Sequence, residues 1–364
     1  MRKPTTYLSL LKNPLDLLRT KKILHVNPTI TPERKEPEAV KVFVFDYNQK
    51  EVIRKELKGV TECYAYLESD KVSWINVDGL RKTDVENICN HYDIHPLIME
   101  DILSLGQRPK MDEINGILFC LMHMLYYNIE QHTIEAEQIS IVLGNNFVIS
   151  FQEDAEKDVF NHLRDKIQIV GSKVRQSGAD YLFYSLIDMI VDNYFTVMER
   201  LGERIETLEE DIIKRSDTAT LQKLNLMRKE MILLKRTISP VREMINGVLR
   251  TESELIQEKT EKYFKDVYDH IVQANELAEN YRDIMINIHD LYVSQVNLKL
   301  NEVMKVMAVV TCLLAPATVI GGIFGMNFEI IPFSHQQTGF YLAVFIMVII
   351  PAIMIFIFKK RGWF

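Results

Sequence analysis

The chain has 364 residues, 43 Lys+Arg against 50 Asp+Glu, a formal net charge of -7 and a mean hydropathy of -0.04. Those averages describe an ordinary soluble protein but hide a segregation: Val306 to Phe358 is 53 residues with one charge, Glu329, while the first 302 residues hold 39 basic and 49 acidic groups. Four scattered cysteines, Cys63, Cys89, Cys120 and Cys312, exclude a disulfide framework and fit a reducing compartment. The net-acidic body argues against nucleic-acid binding, and residues 1–40 hold no apolar run of signal-peptide length.

In chain order, VKVFVFDY (40–47), CYAYL (63–67), VSWINV (72–77) and GILFCLMHMLYY (116–127) read as strands. QISIVLGNNFVISF (138–151) reads as a hairpin turned by Gly144, Asn145 and Asn146. TDVENICNHY (83–92), with Thr83 as N-cap and Glu86 three residues on, and PLIMEDILSL (96–105) read as helices. Past residue 153 the pattern is helical, with a break expected between Pro240 and Gly247. From Glu252 to Ala315 there is no Gly or Pro, which allows one helix of over 60 residues, about 90 Å long at ~1.5 Å per residue. Such a helix needs partners along its length. Ile284, Ile288, Leu291 and Leu298 form a narrow apolar stripe that suits association with like helices.

Val306 to Phe324 and Phe340 to Phe358 are two uncharged runs of 19 residues each, enough to cross a hydrocarbon core of ~30 Å. Pro316 and Pro351 lie inside them, which membrane helices tolerate. The connector has no Lys or Arg, whereas Lys299, Lys305, Lys359, Lys360 and Arg361 flank the runs. Basic flanks stay cytoplasmic, so both termini are expected inside and the connector outside, with Trp363 and Phe364 as an interfacial anchor. Two membrane helices cannot enclose a polar path alone, so a conducting protein of this plan must be oligomeric.

The first run ends in IFGMNFEIIP. Gly325-Met326-Asn327, placed between two spans and ahead of a basic end, resembles the CorA family of magnesium channels. IHPLIMEDIL (94–103), QRPK (107–110), DYLFYSLIDMIVDNYF (180–195), YFKDVYDH (263–270) and NEVMKVM (301–307) are similar to the family's bacterial members. The resemblance runs from about residue 40 to the end of the sequence. It implies an α+β fold in a funnel-shaped homopentamer: a cytoplasmic αβα domain with following helices (40–250), a long stalk helix (251–303), a pore-lining transmembrane helix (304–324), a periplasmic loop (325–339), a second transmembrane helix (340–358) and a basic cytoplasmic tail (359–364). Residues 1–39 are an unassigned extension.

The resemblance also implies roles. Gly325, Met326 and Asn327 would form a selectivity filter in the inner membrane. Carboxamide oxygens there accept hydrogen bonds from the tightly held water shell of Mg²⁺ without stripping it, and weak binding lets the ion leave. Gly and Asn equally suit a helix C-cap. Asn301, Met304, Ala308, Thr311, Ala315, Thr318 and Gly322 share one helix face, as a pore wall or as helix packing. Met304 and Met307 are placed as an apolar gate, and Glu329 as a cation-concentrating acid at the mouth. Glu100, Asp101, Asp188 and Asp266, with His270 one turn from Asp266, match positions that bind regulatory Mg²⁺ between protomers and lock the channel closed. Lys359, Lys360 and Arg361 would ring the cytoplasmic end. Phe324 stands where the family most often has Tyr, and Phe333 where many bacterial members carry an acid. The sequence leaves open Co²⁺, Ni²⁺ or Zn²⁺ as cargo, and a membrane Mg²⁺ sensor that conducts nothing. It holds no P-loop, H-E-x-x-H, nucleophile elbow or nucleotide fingerprint, so an enzyme is not expected.

Overall fold

The computed structural model describes residues 36–37, 40–128, 133–154, 159–326, 331–332 and 337–363. They fall into two units: Met1–Leu208 with Gln222–Met285, and Glu209–Leu221 with Ile286–Phe364.

The first unit is built on one seven-stranded sheet, in the order β2-β1-β3-β7-β6-β5-β4. Its strands are β1 (Lys41–Tyr47), β2 (Val52–Leu57), β3 (Val72–Asp78), β4 (Lys110–Ile114), β5 (Ile117–Asn128), β6 (Thr133–Leu143) and β7 (Phe147–Gln152). All pairings are antiparallel except β3 with β7. Between those two parallel strands the chain makes α1 (Lys82–His91), α2 (Pro96–Leu103) and the β4–β6 meander. Val44, Ile75, Val77, Phe119, Leu121, Val142 and Ile149 bury one face against Val85, Ile88, Ile98 and Ile102 of the two helices. Alternate residues point to the other face, where Phe160 meets Trp74 edge-on at 6.0 Å, ahead of α3 (Asn161–Gln168) and the short α4 (Lys173–Gln176). There α5 (Ala179–Lys214) is tied to β5 by Tyr194, whose hydroxyl donates to the His123 carbonyl at 2.6 Å. The central strands are covered on both sides and read as near-continuous apolar runs.

The structure departs from the expectations in four places. CYAYL lies in a 3₁₀ helix, Val60–Tyr66, not a strand. Three residues per turn put Val60 and Cys63 on its buried side, and β1 already has β2 and β3 on its two edges. The edge strands β2 (VIRKEL) and β4 (KMDEI) were hidden by their charge, a property edge strands use against unwanted pairing. Thr83 is not an N-cap: α1 starts at Lys82, and Arg81 caps it without a side-chain hydrogen bond. Finally, α6 (Thr218–Arg250) runs unbroken through Pro240 and Gly247. Buried Val241, Met244 and Ile245 hold the turn after the proline. Gly247 is there for proximity, since a Cβ would lie 3.2 Å from the Met111 methyl.

The expected long helix is α7 (Glu258–Phe324), 67 residues with Pro316 inside it. Ile288 is buried, whereas Ile284 and Leu298 remain exposed on the single chain. In the second unit Asp217 caps α6, accepting from the Thr220 N–H at 2.9 Å; that bond holds its carboxyl below the usual range. α8 (Gln337–Lys360) ends on Gly362 at φ +69°. Trp363 N–H donates to the Phe358 carbonyl at 3.0 Å and Gly362 N–H to that of Lys359 at 3.2 Å, a Schellman closure. Trp363 stacks on Phe358 at 5.2 Å, and Lys305 of α7 donates to the Gly362 carbonyl at 3.2 Å.

Candidate metal centre and membrane segments

Tyr181, Tyr184, Asp188, Asp192 and Phe195 recur at helical spacing along α5, and Tyr263, Asp266 and His270 do so along α7. The two stripes meet. Tyr263 packs on Tyr184 at 5.3 Å and on Tyr181 at 5.4 Å. Asp180, at the start of α5, accepts from Thr260 Oγ1 at 2.5 Å and from the Gln257 N–H at 3.3 Å. These contacts fix the register of the helices and hence of the charged groups one turn further on.

Asp188, Asp192 and His270 each offer a ligand atom within 4.8 Å of the others, and this is the only such trio among the described residues. His270 Nδ1 lies 3.5 Å from Asp192 Oδ1, and its Nε2 lies 4.0 Å from Asp266 Oδ2. His270 Nδ1 has no hydrogen-bond partner. Asp188 accepts from the Tyr184 hydroxyl at 3.1 Å. Desolvation and the neighbouring Asp192 carboxylate push the Asp188 carboxyl up to about 6. Three carboxylates around one imidazole repel one another, and a bound cation relieves the repulsion. Oxygen ligands on loosely spaced carboxylates suit Mg²⁺, which keeps several waters; the imidazole adds a nitrogen suited to Co²⁺, Ni²⁺ or Zn²⁺.

Of the expected regulatory residues, Asp188, Asp266 and His270 are thus brought together. Asp192 was missed, although its i+4 spacing from Asp188, on a helix facing an Asp266–His270 pair, is a legible signal. Glu100 and Asp101 do not belong to the trio. Glu100 is exposed, and Asp101 is taken by Lys110 Nζ at 2.5 Å.

At the other end of α7, Asn301, Met304, Met307, Ala308, Thr311, Ala315, Thr318 and Gly322 are all exposed on the single chain. Thr311 and Thr318 donate their hydroxyls to the carbonyls of Met307 and Leu314, at 2.9 and 3.0 Å. Their donors are therefore spent within the helix, and the outward face of each oxygen is an acceptor. Gly325 carries the helical bonding one residue further, donating to the Gly321 carbonyl at 2.9 Å. A Cβ at Gly325 would lie 3.0 Å from that same oxygen, and Gly325 is not among the residues in the left-handed region. Met326 is exposed. Asn327, Glu329 and Phe333 lie outside the described residues. Lys359, Lys360 and Arg361 are exposed.

α7 and α8 are both long and apolar enough to cross a membrane, and the most apolar stretch of each is 6% and 0% buried. A core helix of a soluble domain would be covered. An α+β domain followed by two such helices defines a membrane protein with a large water-soluble part. The profile of the family described as CorA-like Mg2+ transporter protein matches residues 69–360, and the chain belongs to that family. It is 36% identical over 327 residues to the cobalt/magnesium transport protein CorA of Thermotoga maritima, covering 90% of this chain and 93% of that one. It is 25% identical to the cobalt/magnesium transport protein CorA of Methanocaldococcus jannaschii, over 64% of this chain and 74% of that one. The complete structure of the CorA magnesium transporter from M. jannaschii has the same fold, with a TM-score of 0.73 at 21% identity, covering 90% of this chain and all of that one.

Proposed function

We propose that the chain is a passive Mg²⁺ channel of the cell (inner) membrane that also passes Co²⁺ and Ni²⁺, with both termini cytoplasmic. The observation that carries this reading is membership of the family across 69–360, which takes in both apolar helices. The pore forms on the axis of a homopentamer, because two spans per chain need partners to enclose water. Gly325, Met326 and Asn327 select the hydrated ion, Glu329 gathers cations outside, and Met304 and Met307 form the apolar constriction. The hydration waters of a cation point hydrogens outward, and the acceptor faces of Thr311 and Thr318 suit them.

Regulation uses Mg²⁺ as its own signal. Ions held between protomers by Glu100, Asp101, Asp188, Asp266 and His270 offset carboxylate repulsion and favour the closed state. Loss of Mg²⁺ shifts the population toward the open one. Asp101 must first give up Lys110 to take part. The domain limits of this reading are a cytoplasmic domain to 250, a stalk to 303, spans at 304–324 and 340–358, and a tail from 359.

The test is growth of a magnesium-auxotrophic strain on Asn327→Ala, with ion flux measured in liposomes. Wild-type growth and flux from the variant refute the filter assignment. His270 in the cluster favours a second reading, in which Zn²⁺ is carried; liposome flux with competing Mg²⁺ and Zn²⁺ separates the two. Absence of any flux, with Mg²⁺-dependent protease protection retained, points to a sensor instead.

A further inference from the structure

The end of α8 gathers four cations. Lys359 and Lys360 close the helix, and Arg361 follows in its Schellman turn. Lys305 of α7 joins them, because its ammonium donates to the Gly362 carbonyl at 3.2 Å. Lys359, Lys360 and Arg361 are exposed and Lys305 is half-buried. None of the four enters an ion pair among the described residues. The nearest acid in sequence is exposed Glu302, one turn before Lys305, a single charge against four. Cations held this close repel one another. The dipole end of α8, worth about −0.5 charge, offsets only part of that repulsion. An anion relieves the rest.

The helix fixes the depth at which the anion is met. From Leu342 to Phe358 α8 carries no polar side chain, and Phe345, Val348, Ile353 and Phe356 are large, apolar and exposed. Hydrocarbon can therefore surround α8, whereas α7 carries exposed Thr311 and Thr318. The cations begin where the apolar run stops, which is the level of the lipid headgroups. Trp363 marks the same level. Its ring stacks on Phe358 at 5.2 Å with the planes 9° apart, and Lys305 Nζ lies 6.0 Å from its centroid. A tryptophan with one face on an apolar helix end and 39% of its surface open suits the membrane interface. The charged groups thus stand at the depth of lipid phosphates, which guanidinium forks and ammonium groups recognise.

We propose that Lys305, Lys359, Lys360 and Arg361 bind the phosphate of an anionic phospholipid headgroup. The inference rests on α8 crossing the membrane. Lys305 belongs to the long helix and the other three follow the second span, so the bound headgroup joins the two helices at their base.

The test uses the two tryptophans of the full-length chain. Trp74 is buried in the sheet, 0% exposed, and gives an unquenched background, so brominated acyl chains report on Trp363. The chain is reconstituted in phosphatidylcholine bilayers, and brominated phosphatidylglycerol or brominated phosphatidylcholine is titrated in. Wild type is expected to favour phosphatidylglycerol about fivefold or more, and less at high salt. Lys359→Gln, Lys360→Gln and Arg361→Gln together should remove the preference. Quenching of that variant by brominated phosphatidylcholine shows that it is inserted. Lys359→Arg with Lys360→Arg should keep the preference. Equal quenching of wild type by both lipids, or an unchanged preference in the triple variant, overturns the site. Inorganic phosphate at matched ionic strength should leave the preference intact; if it abolishes it, the ligand is free phosphate and the lipid proposal fails. Quenching of wild type by neither lipid takes α8 out of the bilayer, and refutes the membrane reading together with this one.

Discussion

Replacing Asp188 by Asn tests the acid–imidazole cluster most directly. Ionised Asp188 is disfavoured, its carboxyl rising from the ordinary 3.8 to about 6. That rise of about two pH units corresponds to about 3 kcal/mol at ~1.36 kcal/mol per unit. Part of the carboxylate still meets water, and screening reduces the cost to about 1–2 kcal/mol. The sign follows from proton binding. Between pH ~4 and ~6 the folded chain holds a proton the unfolded chain has lost, so stability falls as pH rises through that window. The Asn carbonyl can keep the hydrogen bond from Tyr184, seen at 3.1 Å, while the charge is gone. At pH 7.5 in EDTA, Asp188→Asn should therefore be more stable than wild type by about 1–2 kcal/mol. With Mg²⁺ held by the cluster as proposed, the order should reverse. Wild type gains RT ln(1 + [Mg²⁺]/Kd), and the variant, short of one ligand, gains less. Thermal unfolding over a Mg²⁺ titration reads both effects, with limited proteolysis in parallel. A variant that is less stable than wild type in EDTA, or equally stabilised by Mg²⁺, refutes the account of the site.

Three further substitutions probe the first unit. Gly144→Ala puts a Cβ 2.4 Å from the ring of buried Phe147, so the melting temperature should fall by an amount matching about 1–3 kcal/mol of overpacking; an unchanged melt refutes the close approach. Glu137 lies on β6, one oxygen accepting from the N–H groups of Glu153 and Asp154 at 2.7 and 2.8 Å and the other without a partner; desolvation pushes it up to about 7. Its ionisation therefore lowers stability as pH rises from ~4.5 to ~7, by roughly 3 kcal/mol at most, and urea melts across that range should be flatter for Glu137→Gln than for wild type. Arg204 donates to Glu230 at 2.6 Å, and Glu230 is 4% exposed. Arg204→Ala should cost about 3–5 kcal/mol by leaving a buried charge alone, with much of the loss recovered on adding Glu230→Met; a double variant no better than the single one removes that explanation.

The residues that were legible in the sequence are those whose environment repeats. The central strands, the hairpin at Gly144 and the long α7 follow from periodicity and from the absence of Gly and Pro. The charged edges β2 and β4 carry no apolar alternation, and the Val60–Tyr66 turn imitates strand spacing, so only tertiary context separates them. Pro240 misled because packing of Val241, Met244 and Ile245 outweighs a lost hydrogen bond. At the candidate site, the i+4 pairs Asp188–Asp192 and Asp266–His270 were present in the sequence, but their meeting depends on how α5 and α7 pack. The engagement of Asp101 by Lys110 is a fact of geometry alone.

The exposure of α7 and α8 bears on assembly as well as on the membrane. Lipid can cover Val310, Leu314, Val319 and Ile323, which are large, apolar and exposed. It is a poor cover for Thr311 and Thr318, which are exposed too and carry acceptors. The two threonines soften their cost by donating back to their own helix, yet their lone pairs still need hydrogen-bond donors, and hydrocarbon offers none. Ile284 and Leu298, further up the same helix, are apolar residues left facing water. One helix thus has polar groups where lipid would be and apolar groups where water would be. The proposed assembly would resolve both conflicts: neighbouring copies would bury the apolar seam against like helices and turn the polar stripe toward a shared column of water.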